Sequence, residues 1–486
     1  MRYLYRKLLT VIAIVLIASS GISGSAYAQS SAYNTNFITA ITYQNISSTT
    51  ANLTFTFYPS SGGTPISFNR TLNGNAGASL NVGTTTELSS FSGQGSAVIS
   101  SDQPIVATVV QLPQSTTVRN RPLSNGFTNG SNNVLIATVL KNTFNQTTKF
   151  SIQNADTAPI SVTLRFFSVG SSTPTYTETF SLNQGVARFF DAGTIAALGP
   201  NFNGSATIEA TGKVVATAIE ASTDSSYRVS AFEGVSQGSN TVYMPSALCN
   251  FGGSLQQTAY AVQNTSTTNN ASVTVTYKNL SNTTVATQTA TIPPNSKQSF
   301  LACNASGMPS NFNGSAVITS TGGSIVAIGK VIASPMVAPA FGTAFVGASG
   351  GAQKLAAPYV RWTQTRYDIN PGNRQRAYLA IQNVGTGPSG TITVKYYDLN
   401  GVLVGTHTLS SLDPGQKTNS KPIDAMPAPG QTLDEFGYVG GFGGSAMIEC
   451  ANSGCQIVAL VRIQSANSST STADQVAEDY NAIPVN

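Results

Sequence analysis

The chain has 486 residues, too many for one ordinary core, so several domains are expected. Only 9% of the residues are charged while 41% are hydrophobic, which excludes a disordered polyelectrolyte and predicts folded β-structure under a polar, uncharged surface. Three of the cations behind the formal charge of +5 are Arg2, Arg6 and Lys7, so a strongly basic nucleic-acid binder is excluded as well.

The N-terminus carries those cations, then an apolar run from Leu8 to Ala18, then Ala26-Tyr27-Ala28 ahead of Gln29. This is the layout of a secretory leader, and cleavage after residue 28 with export is expected. A retained anchor helix is the alternative, but the run has roughly half of the ~20 residues a span needs. No later stretch has the length and apolarity for a membrane span.

Three markers then recur four times in the same order. An apolar strand ends in Gln-Asn at Gln44-Asn45, Gln153-Asn154, Gln263-Asn264 and Gln382-Asn383. Gly-Ser-Ala begins at Gly95, Gly204, Gly314 and Gly444, and an "IVA"-type strand follows at Ile105, Val214, Ile325 and Ile457. The Asn-to-Gly distance is constant in the first three copies and longer in the fourth, which therefore holds an insertion. Between the markers, "ANLTFTFYPS", "ISVTLRFFSV", "ASVTVTYKNL" and "GTITVKYYDL" alternate apolar and polar residues, the period of a half-buried strand. Gly, Ser, Asn and Pro turns separate the strands. The pattern predicts an all-β chain of four tandem β-sandwich modules of immunoglobulin-like size, at 29–130, 131–238, 239–352 and 353–486; a β-barrel also fits the periodicity.

The Gln-Asn and Gly-Ser-Ala markers are read as scaffold. Asn closes its strand with an Asx-turn, and small residues let a neighbouring strand approach closely. Four cysteines in an exported chain are expected to pair. Cys450 and Cys455 flank a turn in the fourth copy and Cys249 and Cys303 both lie in the third, which makes two natural pairs among three connectivities.

This pattern resembles the tandem immunoglobulin-like or fibronectin-like repeats of bacterial secreted and cell-surface proteins, over Ala32 to about Asn486. The resemblance implies a stalk, adhesin, sheath component or carbohydrate-binding arm, and it supplies no catalytic residue.

Sites of chemistry are few. Gly347 to Gly351 satisfies G-x-S-x-G around Ser349, but it lies in a Gly/Ala-rich link and lacks the helix that such a motif needs. A single histidine, His407, argues against most acid-base machinery, and Asp398 and Asp413 occupy turn positions. We expect no enzyme activity, no cofactor, no metal and no nucleic-acid partner. The fourth copy opens with Arg361, Trp362, Arg366, Tyr367, Arg374 and Arg376, a candidate contact for a glycan, an anionic polymer or a partner protein. The simpler reading is an extended hairpin with solvated arginines and a core tryptophan.

Aligning the copies exposes a gap. The second and third have an extra strand upstream of Gln-Asn, "NVLIATVLKN" and "NTVYMPSALCN", and the matching position in the first falls at the cleavage site. The mature first module is thus expected to lack its first strand. The C-terminal "YNAIPVN", with Tyr480, Ile483 and Val485, is a candidate donor for that edge on the next molecule, giving head-to-tail filaments. The expected function is that of a secreted, self-associating structural protein of a cell surface, sheath or filament. An adhesive or glycan-binding array that contacts extracellular polysaccharide is the alternative.

Overall fold

Alternating residues between turns leave each strand one apolar face, and such faces are buried by packing sheet on sheet. A computed structural model, describing residues 10–16, 31–333, 341–363, 375–437, 444–466 and 475–485, shows an all-β chain whose sheets sort into four sandwiches.

The first sandwich packs the sheet β1 (Thr10–Leu16), β6 (Gly95–Ser101), β3 (Ala51–Pro59), β4 (Ile66–Leu72) on the sheet β5 (Gly77–Asn81), β2 (Phe37–Asn45), β7 (Ile105–Pro113), β8 (Leu123–Asn125). In the second, β9 (Ser131–Lys141), β11 (Ile160–Ser168) and β12 (Tyr176–Leu182) form one layer, and β10 (Gln146–Asn154), β13 (Ala187–Asp191) and β15 (Val229–Glu233) the other. The 21-residue β14 (Phe202–Ser222) runs through both. The third repeats the first, with β16 (Thr241–Cys249), β21 (Phe312–Thr321), β18 (Ala271–Asn279), β19 (Thr284–Ile292) against β20 (Lys297–Leu301), β17 (Gln257–Asn264), β22 (Ile325–Ile332), β23 (Gly342–Val346). In the fourth, β24 (Lys354–Val360), β30 (Gly444–Cys450), β26 (Ile392–Tyr397) and β27 (Leu403–Leu409) are flanked by the short β29 (Met426–Pro427) and β33 (Ile483–Val485). They face β28 (Lys417–Ser420), β25 (Arg376–Asn383), β31 (Ile457–Ala466) and β32 (Gln475–Asn481).

All ladders within these sheets are antiparallel, as in β11 with β12 or β18 with β21. Alternation translates into burial: Ala51, Leu53 and Phe55 of β3 are buried while Asn52 and Thr54 between them are exposed. The "IVA" strands behave differently, being buried on both faces; β7 has seven successive buried residues. Their second face packs on the neighbouring sandwich. Val326, Ile328 and Ala344 of the third join the core of the second, Leu460, Val476 and Ala477 of the fourth join that of the third, and Ala40, Val110 and Leu123 of the first join that of the fourth.

The repeats consequently close into a ring instead of stringing out as a stalk. At its centre β8 lies beside β15, β15 beside β23, β23 beside β32, and β32 beside β8. A head-to-tail contact repeated between successive units closes when its rotation allows, and here four units suffice.

In the full chain the first-strand position of the first sandwich is filled from within the expected leader: Thr10 to Leu16 pairs antiparallel with β6, from Thr10 opposite Ser101 to Leu16 opposite Gly95. The sequence TVIAIVL is rich in β-branched residues, which suit a strand, and β6 offers it an edge. The expectation of a spare strand at the tail is corrected. Gln475 to Asn481 pairs with β31 and Ile483 to Val485 with β24, while Tyr480 is buried and exchanges hydrogen bonds with the Tyr359 backbone. It takes the place that β15 and β23 take in their own sandwiches, as the closing strand of its repeat.

Both disulfides join the expected partners, Cys249 to Cys303 and Cys450 to Cys455. The first spans 54 residues and the second five, so they constrain the unfolded chain unequally. Chemical denaturation of C249S/C303S is expected to show a loss of about 4 kcal/mol, well above that for C450S/C455S. Equal losses would mean that loop closure is not what these bonds contribute.

Candidate functional site

The recurring markers build the seams of the ring. Each marker Asn makes an Asx-turn, its Oδ1 accepting from the backbone two residues on: Ser47, Asp156, Ser266 and Gly385 at 2.8–2.9 Å. Its Nδ2 also ties down a distant carbonyl, that of Leu72, Leu182, Ile292 or Leu412.

The neighbouring Gln faces the preceding sandwich. Gln153 Nε2 donates to the Ala97 carbonyl at 3.4 Å, Gln263 to that of Ala206 at 3.5 Å and Gln382 to Ser315 Oγ at 3.3 Å. The Ser of Gly-Ser-Ala crosses the same seams: Ser96 donates to the Gly185 carbonyl and Ser205 to that of Asn295. The glycine before it permits the close approach of strands, since a Cβ at Gly204 would lie 2.1 Å from the Phe167 carbonyl oxygen. At the seam between the fourth and first sandwiches, Gln44 and Ser445 are buried with unpartnered side-chain atoms, and other groups carry the contact. There Asn120 Nδ2 donates to the Ala477 carbonyl at 3.0 Å, and Glu478 Oε1 accepts from the Arg121 backbone at 2.9 Å with the guanidinium 3.7 Å away.

Two seams bury a lysine at the start of the strand that pairs with the marker strand, Lys297 on β20 beside β17 and Lys417 on β28 beside β25. Burial pushes each down to about 7; the positive charge of Lys330 adds to the effect on Lys297, which Glu220 opposes, and Arg462 adds to that on Lys417. Lys417 is satisfied by the Gly314 carbonyl at 3.0 Å and Asn313 Oδ1 at 3.5 Å. Lys297 instead donates to Thr138 Oγ1 at 3.2 Å, beside Lys330, whose Nζ contacts both Glu220 oxygens at 2.6 and 2.8 Å. A cavity of about 480 Å³ opens here between the second and third sandwiches. Neither lysine was marked out by sequence reasoning. The available signal was a Lys following the polar turn in "PPNSK" and "DPGQK", where the first two copies have Gly77 and Ala187.

At the ring centre, the Asn125 backbone donates to Glu233, Asn125 Nδ2 to the Asn481 carbonyl, and Asn481 exchanges two bonds with the Val346 backbone. Burial pushes Glu233 up to about 7.

The Arg/Trp stretch of the fourth copy is only partly brought together. Trp362 is a core residue at 4% exposure, edge-on to Tyr378, with the Arg376 guanidinium 5.1 Å from its ring. Arg361 is buried over the Tyr359 ring, while Arg366, Tyr367 and Arg374 lie outside the described residues. Asp398 caps its turn by accepting from the backbones of Asn400 and Val402. Ser349 lies in the link between β23 and β24, next to an isolated bridge from Tyr243 to Ala348. His407 Nδ1 sits 2.8 Å from Ser420 Oγ.

No curated protein matches this chain. Among solved structures it is similar to one titled "Crystal Structure of Thermotoga maritima 1070", at 12% identity and a TM-score of 0.19, over 24% of this chain and 92% of that one. The family model CARDB, an immunoglobulin-like β-sandwich domain, matches residues 359–434 in the fourth sandwich.

Proposed function

We propose that the chain is an exported, non-catalytic structural protein of a cell surface or extracellular filament, built as a ring of four sandwiches and assembled through the first of them. The observation that carries this reading is the use made of the recurring residues. Marker Gln and Ser side chains lie in the seams between sandwiches and marker Asn side chains in the turns, so the repeat encodes an assembly. The two disulfides suit an oxidising compartment.

The assembly site is the outer edge of β6. Cleavage after residue 28 removes β1, which leaves that backbone edge unpaired beside the core residues Ala97 and Ile99. An open edge over an apolar face recruits a strand from another chain. With the tail used at home, a second copy must supply the strand from elsewhere.

The chain from Gln29 to Asn486 is expected to associate with rising concentration in light scattering and to give particles larger than one ring in negative-stain images. A peptide of Thr10 to Leu16 is expected to refill the edge and suppress association. A chain that stays monomeric throughout and ignores the peptide would sink the proposal.

A further inference from the structure

We infer that the cavity between the second and third sandwiches binds a small organic carboxylate with an apolar or ring-shaped body, its anionic end at Lys297 and its body against Phe144.

The cavity volume of about 480 Å³ lies in the range usual for small-ligand sites. Its walls are mostly apolar, with Leu140, Tyr260, Leu301 and Val331 among them, and three of its charged residues, Glu220, Lys297 and Lys330, converge around the Thr138 hydroxyl. There Glu220 is engaged by Lys330 and by Thr138, whose hydroxyl donates to Oε1 at 3.1 Å. Arg228 donates to Ser226 Oγ and sits by Asp224. Lys297, 2% exposed, makes a single hydrogen bond among the described residues, to the Thr138 hydroxyl that Lys330 also uses, and no carboxylate is bonded to it.

The next seam shows that this orientation is a departure. Lys417, which also lines a cavity, bonds Asn313 Oδ1 and the Gly314 carbonyl. The residue matching Asn313 in the second repeat is Asn203, and its Oδ1 is buried without a partner among the described residues. Lys297 has thus turned away from an acceptor and toward the cavity, leaving two poorly satisfied polar groups where buried groups are normally paired. An incoming carboxylate supplies the missing counter-charge.

At the mouth, Phe144 is 68% exposed and held at φ 53°, a left-handed conformation that a bulky side chain adopts at a cost. It gives the ligand body an aromatic face. Because burial holds Lys297 down to about 7, a bound anion favours its charged form, and binding above neutral pH takes up a proton.

Isothermal titration of the full chain with octanoate and with glucuronate tests this, octanamide and glucose being the uncharged counterparts. At least one acid is expected to bind one per chain and its counterpart not to bind. Octanoate identifies an acyl ligand and glucuronate an acidic sugar. K297M is expected to weaken binding by roughly thirtyfold or more, F144A to weaken it less, and K417M to leave it unchanged. Affinity should fall from pH 7 to about 9, with heats that depend on the buffer's ionisation. Melting curves confirm folding, and Lys297→Gln replaces the Met variant if that one does not fold. Absence of binding by both acids, equal binding of acid and counterpart, or full binding by a folded Lys297 variant would overturn the inference.

Discussion

Replacing Arg121 by alanine is expected to open the ring between its first and fourth sandwiches. This seam is the one that no chain segment bridges, so non-covalent contacts alone hold it. Arg121 is 3% exposed and Glu478 2%, and Oε2 of Glu478 has no hydrogen-bond partner among the described residues. Burial holds Glu478 above the ordinary carboxylate range, against the pull of Arg121. Removing the guanidinium strands a buried carboxylate, which typically costs 3–5 kcal/mol, so about 4 kcal/mol is expected here. Against this loss stand the apolar contacts of Ala40, Val110 and Leu123 with the fourth core and the hydrogen bonds of Asn120 and Asn125. The expected result is a lower melting temperature at pH 8 and a larger radius of gyration in solution scattering. The deficit should shrink as the pH is lowered and Glu478 takes up a proton, and in R121A/E478Q. An unchanged melting temperature and radius would show that these contacts suffice.

How much of this was legible beforehand differs by feature. Alternation in strands such as Ala51–Pro59 reports one buried face and one wet face, and that local property gave the sandwiches, the turns and the cysteine pairs. The ring was not legible by the same route, because its contacts join residues far apart in sequence. A signal did exist: "IVATVVQL", "IVAIGKVI" and "IVALVRIQ" are nearly continuous apolar runs, where a one-sided strand would alternate. Two-sided burial requires a second partner, and the neighbouring sandwich is that partner. The tail was misplaced because "VAEDYNAIPVN" was compared with the start of the next repeat. Comparison with "RVSAFE" and "GTAFVG", which close the second and third repeats, gives its position. The Arg/Trp stretch allowed both a contact surface and a core tryptophan, because composition cannot tell a buried tryptophan from an exposed one. Lys297 was passed over because its importance comes from the sandwich facing it.

Stability is expected to pass through a minimum near pH 7, the reverse of the usual profile. Lys297 and Lys417 ionise near 10.5 in the unfolded chain and at about 7 in the ring. Between those values the unfolded chain holds two protons that the folded chain has released, so stability climbs as pH rises through the window. Glu233 acts in the opposite sense below it. Its ordinary value is 4.5 and its folded value about 7, so the folded ring keeps a proton that the unfolded chain has lost, and stability falls from 4.5 toward 7. At about 1.4 kcal/mol per pH unit of displacement, each lysine contributes a few kcal/mol to the alkaline limb and Glu233 somewhat less to the acid one. Denaturation midpoints measured in urea from pH 4.5 to 10 will trace both limbs. K297M/K417M should raise the midpoint at pH 7 and flatten the curve above it, and E233Q should flatten the curve below. A wild-type curve that is flat across this range would mean that the three groups are solvated in the folded chain, and the seams would then be wet interfaces that separate and rejoin in solution.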